Sequence, residues 1–177
     1  MKARNEIRAT VRIALSVAFL CVSAMITVPL FPIPITLQSL ALLLVMYLLG
    51  AKNGGAALLV YLALGAIGLP VFSGFLGGIG VLFGPTGGFL FGFLFAIPAF
   101  WLFPRLLRRK SVAALCAMVA TLLALYVFGA LWYYFLFAAD TSFWAVLTLT
   151  VLPFVLPDAV KLSLALLIGS RLIKHLR

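Results

Sequence analysis

Asp158 and Lys161 are the residues of this sequence best suited to chemistry, because they are ionisable groups inside an otherwise apolar stretch. At a spacing of three, both side chains lie on one face of a helix and can meet. A charge at the centre of a bilayer costs roughly 2.5–3.5 kcal/mol, so each group must face protein, a water-filled cavity or the other. A carboxylate only accepts hydrogen bonds and an ammonium only donates them. The pair therefore suits a small ligand with adjacent N–H and C=O groups.

A purely structural role for the pair stays open at this point, since a mutually satisfied ion pair can simply lock the last helix in place. Pro157 favours a helix that begins there, because proline suits the first helical position. In that case Asp158 lies in the first turn, where the positive end of the helix stabilises a carboxylate. This arrangement places the pair near the outer side of a membrane.

The elements that position the pair are expected to be membrane-spanning helices. The chain is 66% hydrophobic and only 9% charged, whereas soluble domains are about 45–50% apolar. At about 20 apolar residues for each crossing, the chain suffices for about six spans. We therefore predict an all-α integral membrane protein with a single bundle of six helices. Residues 1–177 then form one compact membrane-embedded helical domain, with no separate soluble catalytic domain.

The positive charge is distributed as expected for a membrane protein. The net charge is +10, and all Lys and Arg residues except Lys161 lie in four short islands between apolar runs. The islands are Lys2, Arg4, Arg8 and Arg12; Lys52; Arg105, Arg108, Arg109 and Lys110; and Arg171, Lys174 and Arg177. The positive-inside rule places them, and with them both termini, in the cytoplasm. Nucleic acid is not an expected partner, because it requires a continuous basic surface.

Clusters of proline and glycine mark the ends of the predicted spans. The spans are 9–27, 36–49, 56–69, one that ends near residue 103, 112–137, and the apolar region 143–173. The second and third contain about 14 residues, or ~21 Å, which is short for a core of ~30 Å. Pro153 and Pro157 break the last region, which predicts a short outer helix or loop before the final span. Trp132, Tyr133 and Tyr134 are expected to form an outer aromatic belt.

Residues 65–92 contain ten of the fifteen glycines. Such a backbone at membrane depth is tolerated only where it is buried in protein or lines a cavity. One interpretation is close helix packing through small residues. The other is a folded loop that covers a pocket, with Phe72, Phe75 and Thr86 pointing into it.

Three further residues, Gln38, Ala14 and Ala18, have two interpretations each. Gln38, near an outer helix start, either bonds another helix or contacts a ligand. Ala14 and Ala18, four residues apart on the first span, either pack internally or dock another membrane helix.

The sequence contains no H-E-x-x-H or G-x-S-x-G motif and no nucleotide-binding P-loop. We therefore expect neither an enzyme nor a metal site.

Three blocks of the sequence resemble the BioY family, the biotin-capturing S subunits of energy-coupling-factor vitamin importers. The first block is FPIPITLQ at 31–38. The second is LGAIGLPVFSGF at 64–75, continued by GPTGG at 84–88. The third is LPF at 152–154 with PDAVK at 157–161. Together with the pattern of six spans, the resemblance covers essentially the whole chain.

The resemblance implies a six-helix fold in the bacterial cell membrane that binds biotin in a pocket near the outer surface. It also implies a transmembrane coupling subunit and two ATPase subunits as partners, with biotin as cargo and no cofactor. Asp158 and Lys161 match the polar ligand contacts. On this basis we expect Asp158 to accept from a ureido N–H, and Lys161 either to donate to the ligand or to steady Asp158. The less secure lining positions are Gln38, Phe72, Thr86 and Gly87.

On the same resemblance, Ala14 and Ala18 match the motif through which such subunits dock to the coupling protein. Two other functions stay open from the residues alone. One is a membrane scaffold without transport activity, in which the ion pair and the glycines only pack helices. The other is a carrier that needs no ATPase partner.

Overall fold

The computed structural model describes residues 2–30 and 32–173. Its helices are α1 (Lys2–Met25), α2 (Gln38–Ala66), α3 (Ile79–Leu82), α4 (Gly87–Gly92), α5 (Ala96–Leu106), α6 (Lys110–Phe137), α7 (Phe143–Thr150) and α8 (Leu152–Leu172). Two 3-10 turns, Ser73–Phe75 and Phe93–Phe95, flank α3 and α4. Phe31 of the first family-like block, and Lys174 and Arg177 of the last basic island, lie outside the described residues.

Within residues 2–30 and 32–173, five helical segments are long and apolar enough to cross a membrane. They are Arg4–Met25, Gln38–Ala66, Gly87–Leu106, Lys110–Phe137 and Phe143–Leu172. Much of their outward surface is leucine, valine and phenylalanine, which a lipid solvent accommodates and water does not. These segments confirm the predicted class of all-α integral membrane protein.

The second of these segments reverses direction at Gly50, where the backbone has φ 71°. The Gln38 side chain bonds to the hydroxyl of Tyr61, 23 residues along the chain. In one straight helix these residues would be ~35 Å apart, so the halves 38–49 and 51–66 run side by side in opposite directions. Glycine adopts this positive φ without a steric cost.

The core is centred on α2, which packs against α1, α5 and α8. Its fully buried side chains include Leu42, Leu43, Met46 and Leu58. Between α1 and α2 the chain forms a small antiparallel hairpin of β1 (Thr27–Val28) and β2 (Ile35–Thr36). The hairpin and the turns around α3 lie at the same end of the bundle, because the Thr27 and Ser73 hydroxyls are 3.3 Å apart.

The prediction that the last helix begins at Pro157 is wrong. The chain breaks at Val151 (φ −122°, ψ −52°), and α8 begins at Leu152 with Pro153 in its first turn. Proline is tolerated there because the first-turn N–H groups have no partner within the helix. Asp158 therefore lies beyond the first turn, and the positive helix end is not what stabilises it. A short helix, α7, does precede the final span.

Trp132 has a more specific role than membership of an aromatic belt. Its ring is half-buried, and its indole Nε1 donates a hydrogen bond to the carbonyl oxygen of Gly84 at 3.1 Å. The same side chain packs closely against Gly88, which leaves no room for a Cβ atom there. Trp132 thus fastens the glycine-rich segment to α6.

Candidate ligand-binding site

Asp158 and Lys161 form a buried ion pair on α8. Nζ of Lys161 lies 2.8 Å from Oδ1 of Asp158, and the two residues are only 6% and 2% exposed, respectively. The structure therefore confirms that the spacing of three brings the two groups together. Burying two charges is costly unless their remaining hydrogen-bonding positions are also satisfied.

Two neutral side chains from other helices complete the pair. The hydroxyl of Ser39, on α2, donates to Oδ1 of Asp158 at 2.8 Å and accepts from Nζ of Lys161 at 3.1 Å. The hydroxyl of Tyr126, on α6, donates to Oδ2 of Asp158 at 2.8 Å. We call these four residues the polar network. It joins three helices and stabilises the charged carboxylate with three hydrogen bonds.

Ser39 and Tyr126 were not predicted from the sequence. They lie 119 and 32 residues from Asp158 along the chain, so no helical spacing relates them to it. A weak signal for Ser39 exists, because Gln38 and Ser39 form a polar pair at the start of an apolar run. Tyr126 has no such signal among the aromatic residues of α6.

A cavity of about 410 Å³ adjoins the ion pair. This volume falls within the range of small-molecule sites. Its polar lining includes Asp158, Lys161, Ser39, Gln38 and Thr36. Most of the remaining wall is apolar and comes from Pro32, Ile33, Pro34, Phe72, Leu76, Val81, Pro85, Phe89, Leu90, Phe93, Leu125 and Phe154. The site can therefore hold a largely apolar molecule with one polar end.

The structure places Gln38, Phe72 and Thr86 in the cavity wall, as expected of ligand contacts. Gln38 also makes the hydrogen bond to another helical segment that was its alternative interpretation, because its Nε2 donates to the hydroxyl of Tyr61. Tyr61 in turn donates to the carbonyl of Val71 at 3.2 Å. The side chain of Gln38 thus connects the two halves of α2 while it lines the cavity.

Phe75 and Gly87 do not line the cavity. Phe75 is 64% exposed, so the prediction that it points into the pocket is wrong. Its backbone is left-handed (φ 59°), a conformation that bulky residues rarely adopt. Gly87 is buried directly after Thr86, where a Cβ atom would collide with the carbonyl of Leu82.

The glycine-rich segment serves both of the roles considered for it. Gly65 and Gly88 allow close packing, since Phe72 and Trp132 occupy the space of their missing side chains. The residues between them contribute Phe72, Thr86 and several neighbours to the cavity wall. Packing through small residues and lining a pocket are therefore combined in one segment.

Ala14 and Ala18 lie away from the cavity, on the exposed face of α1. Around them the same helix exposes Val11, Leu15 and Val22. This face of α1 does not form part of the described core.

A family model described as "BioY family" matches residues 1–177. The chain belongs to the BioY family. A relative named "Probable biotin transporter BioY" from Pyrococcus horikoshii is 40% identical over 160 residues, which is 90% of this chain and 93% of the relative. The "Biotin transporter BioY" of Thermotoga maritima is 39% identical over 168 residues, or 94% and 96% of the two chains.

A solved structure supports the same family assignment for this chain. The crystal structure described as the S-component for biotin from an ECF-type ABC transporter matches with a TM-score of 0.87 and 26% identity. The match covers 98% of this chain and 95% of the other. These relatives are transporter proteins rather than enzymes, which agrees with the expectation that the chain is not an enzyme.

Proposed function

We propose that this protein is the biotin-binding S component of an energy-coupling-factor importer. The observation that carries the proposal is the buried polar network at one end of an apolar cavity of about 410 Å³. Kinship with proteins named as biotin transporters supports the choice of ligand. Biotin is then cargo and not a cofactor.

The hydrogen bonds left open in the polar network support a urea as the ligand group. A carboxylate offers about four acceptor positions, and Asp158 uses three of them for Ser39, Tyr126 and Lys161. An ammonium has three donors, and Lys161 uses two of them, for Asp158 and Ser39. One acceptor and one donor remain for a ligand.

The ureido ring of biotin presents a neighbouring N–H and C=O on one edge, which complements that free acceptor and donor. We assign the N–H to Asp158 and the C=O to Lys161. The apolar rings and the hydrocarbon chain then lie against Phe72, Phe89 and Phe93. The biotin carboxylate is expected to point away from Asp158, because two anions repel each other at short range.

The proposed topology has six crossings, with both termini in the cytoplasm of the cell and the chain in its plasma membrane. It counts the two halves of α2 separately, because the chain reverses at Gly50. Lys52 lies just after that reversal, and Arg105–Lys110 cover the end of α5 and the start of α6. The positive-inside rule assigns these turns to one side. The chain then forms a single membrane-embedded domain over residues 1–177.

Transport requires partners under this proposal, namely a transmembrane coupling subunit and two ATPases. The sequence contains no P-loop with which it could bind a nucleotide itself. The face of α1 that carries Ala14 and Ala18 is exposed and apolar. Small residues there permit close approach of another membrane helix, so this face is the proposed docking surface.

Biotin binding by the purified protein tests the proposal. We expect labelled biotin to be retained by the wild type and lost from Asp158→Asn and Lys161→Ala. Ser163→Ala is the matched control, because Ser163 is exposed on the same helix and bonds only to the carbonyl of Ala159 among the described residues. Wild-type binding by both site variants would refute the proposed site.

Uptake experiments separate this proposal from the two other functions. Vesicles that contain the chain alone are expected to bind biotin without accumulating it, and added coupling and ATPase subunits should confer ATP-dependent uptake. A scaffold would bind no biotin. A carrier that needs no ATPase partner would accumulate biotin in vesicles that contain this chain alone.

A further inference from the structure

The two ends of the ligand cavity differ in their exposure. The inner end is formed by the polar network, in which Asp158 and Lys161 are buried. The lining also includes Leu76, Gly80 and Pro85, which are exposed, and a Cβ atom added at Gly80 would meet nothing within 4 Å. The cavity therefore opens to the surface at these three residues, which we call the mouth.

A ligand whose urea is bound by the polar network directs its other end toward the mouth. The free acceptor of Asp158 and the free donor of Lys161 both lie at the buried end. In biotin the carboxyl group ends a flexible hydrocarbon chain, and that chain is attached to the ring that does not contain the urea. The carboxyl group thus lies on the side of the mouth, away from the ion pair.

The cavity offers this carboxyl group no cation of its own. Within the described residues, Lys161 is the only Lys, Arg or His in the lining, and its charge is balanced by Asp158 at 2.8 Å. The other Lys and Arg residues from Arg4 to Arg171 are exposed and lie outside the lining. Nothing in the described lining therefore favours a negative charge on the far end of the ligand.

The glycine-rich segment supplies neutral polar groups to the lining instead. Ser73 and Thr86 both carry a hydroxyl there, and a hydroxyl can donate one hydrogen bond and accept others. An amide presents a C=O that accepts and an N–H that donates, so these side chains complement an amide as well as they complement a carboxylate. The chemistry of the lining does not distinguish the acid from its amides.

We propose that the cavity accepts biotin whose carboxyl group is joined to an amine, with an affinity close to that for free biotin. The substrate class is then a cyclic urea on an apolar body, with a far end that is either charged or neutral. In biotinyl-lysine, the lysine part lies beyond the mouth, in water. The inference rests on the proposed function, because it uses the assignment of the urea to the polar network.

Competition against tritiated biotin on the purified protein tests this substrate class. We expect biotin carboxamide and biotinyl-lysine to bind within about threefold of free biotin, because no charged contact is lost. Biotin methylated at the urea nitrogen is the control ligand. It should bind at least about tenfold more weakly, because its N–H is the group assigned to the charged Asp158.

The outcomes separate this inference from the proposed function. If the protein binds biotin but binds the carboxamide at least about tenfold more weakly, a charged contact holds the carboxylate. That result overturns the inference and leaves biotin binding in place. If free biotin itself is not retained, the proposed function is overturned together with the inference.

A bulky residue at the mouth tests the path of the far end. Gly80→Trp narrows the opening, so we expect the affinity for biotinyl-lysine to fall several-fold more than the affinity for free biotin. Ile79→Trp is the matched control, because Ile79 is exposed on the same short helix and lies outside the lining. It should leave the ratio of the two affinities unchanged. An unchanged ratio in Gly80→Trp would overturn the assignment of the amide substituent to this mouth.

Discussion

The polar network and the glycine-rich wall of the same cavity are stabilised by different kinds of interaction. The polar network consists of four side chains on three long helices, joined by hydrogen bonds of 2.8–3.1 Å. The glycine-rich wall, residues 71–86, consists of short turns that expose Phe75, Leu76 and Ile79. Three side-chain hydrogen bonds attach it to the rest of the described chain: between Thr27 and Ser73, from Tyr61 to Val71, and from Trp132 to Gly84.

This difference indicates that the polar network and the glycine-rich wall have different functions within one site. The network is cooperative, because removal of one member leaves a buried polar group without its partner. The wall has few buried apolar contacts and an exposed backbone, which are features of segments that open locally at low cost. We therefore expect damage to the network to cost affinity and stability, and damage to the wall to alter mainly the rates of binding and release.

Asp158→Asn is the strongest test of the network. The substitution leaves the ammonium of Lys161 buried without a counter-charge, which typically destabilises a protein by about 3–5 kcal/mol. Biotin affinity should fall more than 100-fold, because a neutral amide, with one acceptor oxygen and an NH2 donor, replaces the charged acceptor of the ligand N–H. Titration calorimetry and thermal unfolding in detergent measure both effects.

The double variant D158N/K161M distinguishes the stability cost of an unpaired buried charge from the loss of the ligand contacts. It removes both buried charges, so we expect its unfolding temperature to exceed that of Asp158→Asn alone, while biotin binding stays lost. A double variant that is less stable than the single one would contradict the interpretation of the site as a coupled ion pair.

Tyr126→Phe is expected to have the next largest effect. It removes one hydrogen bond to the charged carboxylate, worth about 1.5–3 kcal/mol, and frees Oδ2 to rotate away from the ligand. Affinity should fall about tenfold. Tyr133→Phe on the same helix, whose ring stacks on Phe137, is the control. Equal binding by the two variants would remove Tyr126 from the site.

Gly65→Ala tests the packing behind the wall. The new Cβ atom would collide with the ring of Phe72, and such overpacking costs about 1–3 kcal/mol. We expect a lower unfolding temperature and weaker binding, because Phe72 must move in the cavity wall. Gly80→Ala has nothing within 4 Å of the added atom and should leave the unfolding temperature unchanged.

Trp132→Phe should have the smallest effect at equilibrium. It removes the hydrogen bond to Gly84, worth about 0.5–1.5 kcal/mol, and loosens the wall without touching the polar network. Displacement of labelled biotin followed by stopped flow should show a release rate several-fold faster. Trp144→Phe, at a side chain that is 76% exposed, is the control. Unchanged release would mean that this bond does not hold the wall.

Much of the fold could be predicted from patterns that are local in the sequence. The 112–137 span corresponds closely to α6, Lys110–Phe137, because one long apolar run between basic and polar turns leaves few alternatives. The reversal between the second and third spans falls at Gly50, within the predicted glycine turn. The pairing of Asp158 with Lys161 followed from helical spacing alone.

Other expectations failed where local patterns are ambiguous. Pro153 and Pro157 both satisfy the preference for a first helical turn, and only packing places the break at Val151. Phe75 resembles Phe72 in type and surroundings along the chain, yet its left-handed backbone turns it to the surface while Phe72 is buried.

The sequence by itself determined that this protein lies in a membrane, which segments are helical, and which two charges must be buried within the membrane-embedded part. These features follow from hydropathy and from spacings within one helix. Only the tertiary structure decided which neutral groups satisfy those charges. Ser39 and Tyr126 reach Asp158 from distant parts of the chain, because helix packing, and not proximity in sequence, sets the neighbours of a buried side chain.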